Sequence, residues 1–214
     1  MASDKQVAIV GCGPGGAGYL TAMALKAADS ADFLIGTAKF LALFPASGAR
    51  IELKQVKTEE IIRLIAGLGC RKIAVLVSGD TGLHSLASSL RRAAPAGWEI
   101  SFVPGVSSIQ AACALFTLEW QDMRIFSLHY QPAPAELART ATRGEQPLGI
   151  LCGPGSEPGL IARALLDTVE PGRRCYVACN IGSEEQAAWE GVLSELAGKE
   201  FGGRSVLIID RRKK

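Results

Sequence analysis

The chain has 214 residues, 48% hydrophobic and 21% charged, enough to bury a core in one large domain or two small ones and too apolar for disorder. A net charge of +2 is too small to argue for nucleic acid, and neither an RNA-binding aromatic motif nor zinc-finger spacing occurs. No apolar run is long enough to span a membrane, and the opening MASDKQ lacks the basic and apolar regions of a signal peptide, so a cytoplasmic protein is expected.

Residues 7–10 read as a strand running into Gly11-Cys12-Gly13-Pro14-Gly15-Gly16, with a helix over 19–28. A second strand covers 33–35, a short helix 39–44 ends before Pro45, and 51–53 is a short strand. Thr58 reads as an N-cap. Glu59 and Glu60 favour the positive end of the helix dipole, Ile61, Ile62, Leu64, Ile65 and Leu68 follow at helical spacing, and Gly69 stops the helix. Residues 73–77, IAVLV, form a continuous apolar run rich in β-branched side chains, which predicts a strand buried on both faces in the middle of a parallel sheet. A helix over 83–93, a strand over 99–103, a Pro104-Gly105 turn and a helix capped by Ser107 or Ser108 continue the alternation, so a parallel sheet flanked by helices is expected.

The pattern breaks around 117–122. A second series follows: a strand over 124–127, loop and helix over 132–143, a strand over 148–152 before Gly153-Pro154-Gly155, a helix over 160–166, a strand over 175–179, a short helix over 192–196, a last strand over 206–209 and a solvated tail from 211. The expected architecture is two α/β domains, 1–117 and 118–214, closely packed because no low-complexity linker intervenes. Six cysteines are present. Cys175 and Cys179 fall on one face of a strand and only His84 and His129 are available as co-ligands, so reduced core thiols are expected and no metal site. Trp98, Trp120 and Trp189 read as packing residues.

Two stretches carry chemistry. Ser78-Gly79-Asp80 sits at the carboxyl end of the central strand, the edge where ligands bind in open α/β sheets. Gly79 lets a ligand approach the backbone, and Asp80 supplies an acceptor for hydroxyl or ammonium groups. The plain alternative is a tight turn into the next helix. Gly11-x-Gly13-x-x-Gly16 after a strand fits a dinucleotide fingerprint, which would make the chain a flavin or nicotinamide oxidoreductase. That fingerprint also needs an acid at the end of the second strand, where Gly36-Thr37 stands instead. The glycines therefore establish only a tight backbone turn.

VGCGPGGAGYLT from Val10, VSGDTG from Val77 and PGVSSIQAA from Pro104 resemble, in order and spacing, the motifs of the tetrapyrrole methyltransferases. WQDMRIFSLH from Trp120, the Cys152-Gly153 stretch, Ala178-Cys179-Asn180-Ile181-Gly182 and the closing SVLIID resemble, within that family, the precorrin and cobalt-precorrin C5-methyltransferases of cobalamin synthesis. The resemblance covers essentially the whole chain. The chain departs from the family where Gly-Asp-Pro becomes Gly79-Asp80-Thr81 and where Leu-His-Gly-Arg becomes Leu128-His129-Tyr130-Gln131, which loosens a turn and removes a positive charge.

The resemblance implies the tetrapyrrole methylase (class III methyltransferase) fold, with the active site in the cleft between two α/β domains. It implies S-adenosylmethionine as methyl donor and S-adenosylhomocysteine as product, with Gly79, Asp80, Leu83, Ser107, Ser108, Cys152, Ala178 and Asn180 around the donor. It implies cobalt-precorrin-7 or precorrin-7, methylated at C5, as acceptor, with Gly11, Gly13, Pro14 and Gly15 bordering the macrocycle. His129 is the candidate catalytic residue, by contact with substrate more than by proton transfer; the alternative is a polar strand end bonded to backbone. His84 reads as a helix-start residue, and Asp122 as fixing the linker or lining the cleft. A homodimer is implied, and a separate decarboxylating C15-methyltransferase as partner, with neither nucleic acid nor membrane involved. The alternatives are another ring position, uroporphyrinogen III as acceptor, a flavin or nicotinamide enzyme, and a non-enzymatic tetrapyrrole-binding module.

Overall fold

The computed structural model describes residues 5–45, 48–129 and 135–212. It contains two compact units, Met1–Ser107 and Ser108–Lys214, each built on a five-stranded sheet. No helix among the described residues is long and apolar enough to cross a membrane.

The first sheet comprises β1 (Gln6–Gly11), β2 (Phe33–Gly36), β3 (Ala49–Glu52), β4 (Lys72–Val77) and β5 (Glu99–Val103), all parallel, in the order β3-β2-β4-β1-β5. β4 is the middle strand, as its unbroken apolar run requires. Ile73, Val75 and Val77 enter one core layer with Ile61, Ile65 and Leu90. Ala74 and Leu76 enter the other with Val10, Ala24 and Phe40. Each buried aliphatic side chain stabilises the unit by about 1.5–3 kcal/mol relative to exposure. Helices α1 (Ala22–Asp29) and α2 (Ala38–Leu41) cover the second layer, α3 (Thr58–Gly67) and α4 (Leu86–Ala93) the first. The segments after β1 and β4 thus leave adjacent strands toward opposite faces, which opens a crevice at their carboxyl ends.

Helix starts differ from expectation at several positions, and α3, α4 and α1 show why. Thr58 is the first helical residue of α3 rather than its cap; Lys57 holds the cap position and makes no side-chain bond there. The helix expected from Leu83 begins at Leu86, because His84 has φ +47 and Ser85 takes the cap, accepting from the Ala87 amide at 3.2 Å. The helix expected from Tyr19 begins at Ala22, after a 3-10 turn over Ala17–Tyr19, with Thr21 capping it by accepting from the Ala24 amide at 3.0 Å. Lys5 is only 2% exposed. Its ammonium donates to Cys70 O at 2.8 Å and to Leu68 O, satisfying carbonyls at the negative end of α3.

The second unit begins with α5 (Ser108–Leu115), followed by β6 (Arg124–Ser127), α6 (Ala135–Arg143), β7 (Leu148–Leu151), α7 (Pro158–Leu165), β8 (Arg174–Cys179), β9 (Ala187–Val192), α8 (Leu193–Leu196) and β10 (Ser205–Ile209). Its sheet runs β6-β7-β10-β8-β9 and is mixed: only β6 and β7 are parallel. β9 is unanticipated. It is an edge strand paired only with β8, so its sequence AAWEGV has no need of a two-sided apolar pattern. Cys175 and Cys179 both enter the core beneath the sheet with Cys152, and all six cysteines are free thiols. Trp98 and Trp189 pack against cores, whereas Trp120 is 47% exposed. Tyr130 and Gln131, at the second family departure, and the first part of the expected 132–143 element lie outside the described residues.

Candidate functional site

At the carboxyl edge of the first sheet, backbone meets backbone. Gly13 and Gly79 form an isolated two-way bridge, with Gly79 N to Gly13 O at 2.9 Å and Gly13 N to Gly79 O at 3.2 Å. Both residues need positive φ, +70 and +67, which favours glycine. Behind them a Cβ on Gly105 would lie 2.6 Å from the Gly11 carbonyl carbon, so the turns after β1 and β5 touch only because neither residue has a side chain. At Gly79, by contrast, nothing lies within 4 Å of where a Cβ would sit. The backbone there is bare toward open space, a surface a ligand can reach.

Asp80 holds this arrangement together. One carboxylate oxygen accepts from the Gly82 amide at 2.8 Å and the other from the Gly105 amide at 3.1 Å. The first bond closes the local turn. The second ties the loop after β4 to the loop after β5. The carboxylate expected to face a ligand therefore already accepts two backbone amides, with lone pairs remaining. Thr81, where the family has proline, is buried. Leu83 is half-buried and Ser107 buried. Thr21, which the sequence reading did not single out, adds a brace by donating its hydroxyl to Pro104 O at 3.2 Å. Its only signal is a threonine just before an apolar helix.

The glycine loop itself is uncharged from Gly11 to Leu20. It runs into a 3-10 turn, and α1 starts only at Ala22. The helix N-terminus that would cradle a pyrophosphate is thus displaced from the glycines, and β2 ends in Gly36-Thr37 with no acid. Both observations weigh against a dinucleotide.

In the second unit His129, Cys152 and Asn180 follow the carboxyl ends of β6, β7 and β8. Gly153 packs on the chain at His129: a Cβ there would lie 2.6 Å from His129 Cα and 2.9 Å from Leu128 O. The exposed His129 and the Cys152-Gly153 turn are therefore neighbours. The Cys152 thiol points into the core and donates to Ile150 O at 3.7 Å; burial pushes it up to about 12, so what this position offers a ligand is its backbone. Ala178 is fully buried within β8. Asn180 has φ +47, and its side-chain oxygen accepts from the Arg204 amide at 3.2 Å, which fixes the end of β8 against the start of β10. Ser108 is the first residue of α5. Asp122 is exposed. Among the described residues no group of three or more His, Cys, Asp or Glu side chains is placed to hold a metal.

Residues 6–197 match the family of tetrapyrrole (corrin/porphyrin) methylases. The chain is 30% identical over 206 residues to the cobalt-precorrin-7 C(5)-methyltransferase of Salmonella typhimurium, covering 95% of this chain and 98% of that protein. Its fold is similar to that of the precorrin-6Y methylase of Archaeoglobus fulgidus, with a TM-score of 0.74 at 23% identity over 97% and 99% of the two chains. It is also similar to the uroporphyrin-III C-methyltransferase of Thermus thermophilus solved with S-adenosylhomocysteine, with a TM-score of 0.73 at 22% identity over 96% and 97%.

Proposed function

The chain belongs to the tetrapyrrole (corrin/porphyrin) methylases, and from that premise we propose that it transfers a methyl group from S-adenosylmethionine to C5 of cobalt-precorrin-7 or precorrin-7 in cobalamin synthesis. The observation that carries the reading is the similarity to the Salmonella relative over nearly the full length of both chains. The reaction is an in-line displacement: an electron pair of the ring at C5 forms the C5–CH3 bond, the S–CH3 bond breaks, sulfur leaves as the neutral thioether of S-adenosylhomocysteine, and the ring sheds a proton to discharge the positive charge it has taken up. The sulfonium is already a good leaving group, so the protein contributes chiefly position and electrostatics.

Gly79, Asp80, Leu83 and Ser107 in the first unit, and Ser108, Cys152, Ala178 and Asn180 in the second, are the residues assigned to the donor. The bare backbone at Gly79 supports that assignment. Gly11, Gly13, Pro14 and Gly15 are assigned to the macrocycle, and His129 to contact with it. The reading extends to a cytoplasmic homodimer working alongside a decarboxylating C15-methyltransferase activity, and sedimentation velocity tests the dimer.

Calorimetric titration with S-adenosylhomocysteine tests the donor site. Wild type should bind saturably, and Gly79→Ala, which has space but an unfavourable φ, should stay folded and bind at least tenfold more weakly. A folded wild type that ignores S-adenosylhomocysteine refutes the function. Incubation with donor and cobalt-precorrin-7, followed by NMR of the product, tests the position; a new methyl on any carbon but C5 refutes that part alone.

A further inference from the structure

The glycine loop carries a cation that its own sequence lacks. Lys39 lies on α2, the short helix after β2. Its neighbours Phe40 and Leu41 are buried in the core layer shared with α1, which anchors the helix and leaves Lys39 exposed at its top. From there the side chain runs over Gly15. A Cβ on Gly15, whose φ is +131, would lie 2.5 Å from Lys39 Cε and closer still to Nζ. The ammonium therefore rests on bare backbone, in space that any side chain at position 15 would take.

Charge is sparse in the loops of the four other strands; the segment after the edge strand β3 carries Lys54 and Lys57, which pair with Glu52 and Glu60. The segments following β1, β2, β4 and β5, residues 12–21, 37–48, 78–85 and 104–107, contain one Lys or Arg, which is Lys39, and one carboxylate, Asp80. Asp80 braces two loops through backbone amides. A ligand bearing several carboxylates that settles against these loops meets Lys39 as their single permanently cationic side chain. Lysine suits such a ligand, because its flexible stem lets a compact ammonium follow a carboxylate arm, where a guanidinium would demand a fixed fork.

We propose that Lys39 receives a carboxylate of the tetrapyrrole at the glycine loop and so helps select a polycarboxylated ring. This rests on the reading that the chain methylates such a ring and that residues 11–15 border it.

The test is steady-state kinetics with cobalt-precorrin-7 on wild type, Lys39→Ala, Lys39→Glu and Lys39→Arg, with calorimetry of S-adenosylhomocysteine on each. Lys39→Ala should raise KM for the tetrapyrrole about tenfold, the scale of one charge-assisted contact at a partly exposed site, and leave the dissociation constant of S-adenosylhomocysteine within about twofold. Lys39→Glu should raise KM further, and Lys39→Arg should recover most of the loss. The rise of KM with added salt should flatten in Lys39→Ala, because the screened pair is gone. An active wild type with KM unchanged in Lys39→Ala overturns the role of Lys39 and leaves the methyltransferase reading standing. A folded wild type that binds no S-adenosylhomocysteine and methylates no tetrapyrrole overturns both.

Discussion

Replacing Asp80 by alanine removes both carboxylate bonds that tie the Gly82 and Gly105 amides. A hydrogen bond to a charged group contributes about 1.5–3 kcal/mol. The Gly82 bond, two residues away and near solvent, belongs at or below the low end, since water replaces the lost acceptor. The Gly105 bond spans 25 residues, and the Gly105 backbone is wedged against that of Gly11 and Gly79, so its amide cannot easily turn to a new partner. Together the loss is about 2–4 kcal/mol. For a chain of this size each kcal/mol moves Tm by about 2–4 °C, which gives a fall of about 4–16 °C in the melting transition of the chain. Asp80→Asn keeps one oxygen for the Gly82 amide but turns an NH2 donor toward the Gly105 N–H, so it should lose the larger share of this. Circular dichroism melts of the three proteins read the stability, and calorimetry with S-adenosylhomocysteine reads the site. Binding should weaken in both variants, because the loops at Gly79 and Gly105 are no longer held together. If Asp80→Ala melts within about 2 °C of wild type while binding collapses, the brace is refuted and Asp80 acts by touching the donor directly.

The cysteines offer a second check. Burial pushes the thiols of Cys12, Cys152 and Cys175 up to about 12 and that of Cys113 up to about 11, and raises Cys179, so at pH 8 they carry almost no thiolate. Alkylation of the native protein should therefore label Cys70, the one half-buried thiol, and unfolding should release all six; rapid native labelling of Cys152 would contradict its place in the core. Lys5→Met keeps the apolar stem but leaves two carbonyls at the end of α3 without their cation, an expected cost of about 1.5–3 kcal/mol and a Tm fall of about 3–12 °C; an unchanged melt removes Lys5 from the fold's supports. In the second unit Glu170 is held below the usual carboxylate range by a bond from its own backbone amide and by Arg173 and Arg212. Its contribution is present above the unfolded value of about 4.3 and fades as pH falls through the lower folded value. Glu170→Gln should thus be less stable than wild type at neutral pH and converge with it in acid, and a gap that widens in acid would reverse the assignment.

The first sheet was largely legible because its central strand states its environment in its own residues. A run such as IAVLV over 73–77 has no polar side to offer water, so it belongs between two helix layers, and the structure puts it there. The edge strand β9 gave no such statement, since AAWEGV is stabilised by its partner β8 and not by its own pattern. Helices start later than composition suggests where a backbone conformation outweighs it: a left-handed His84 delays α4, and a 3-10 turn delays α1. Long-range bonds have no local signal at all. Nothing between residues 5 and 68 announces that Lys5 will reach the end of α3.

The loops that carry the candidate residues stand out in the sequence by motif, but the bonds those residues make do not. Gly79 and Asp80 read in the sequence as one ligand-facing pair; in the structure the glycine offers bare backbone to open space, and the acid also accepts from two backbone amides that join the loops. Glycine was read at positions 11, 13 and 15 as room for a macrocycle. The space at Gly11 goes to Gly105 and that at Gly13 to Tyr19, whereas the space at Gly15 goes to Lys39. Three glycines in one motif thus do three things, and only the third brings in a charge. That distinction depends on which distant residue arrives above each glycine, and it follows from the order of the strands, because β2 delivers α2 to the carboxyl edge from which the glycine loop leaves β1.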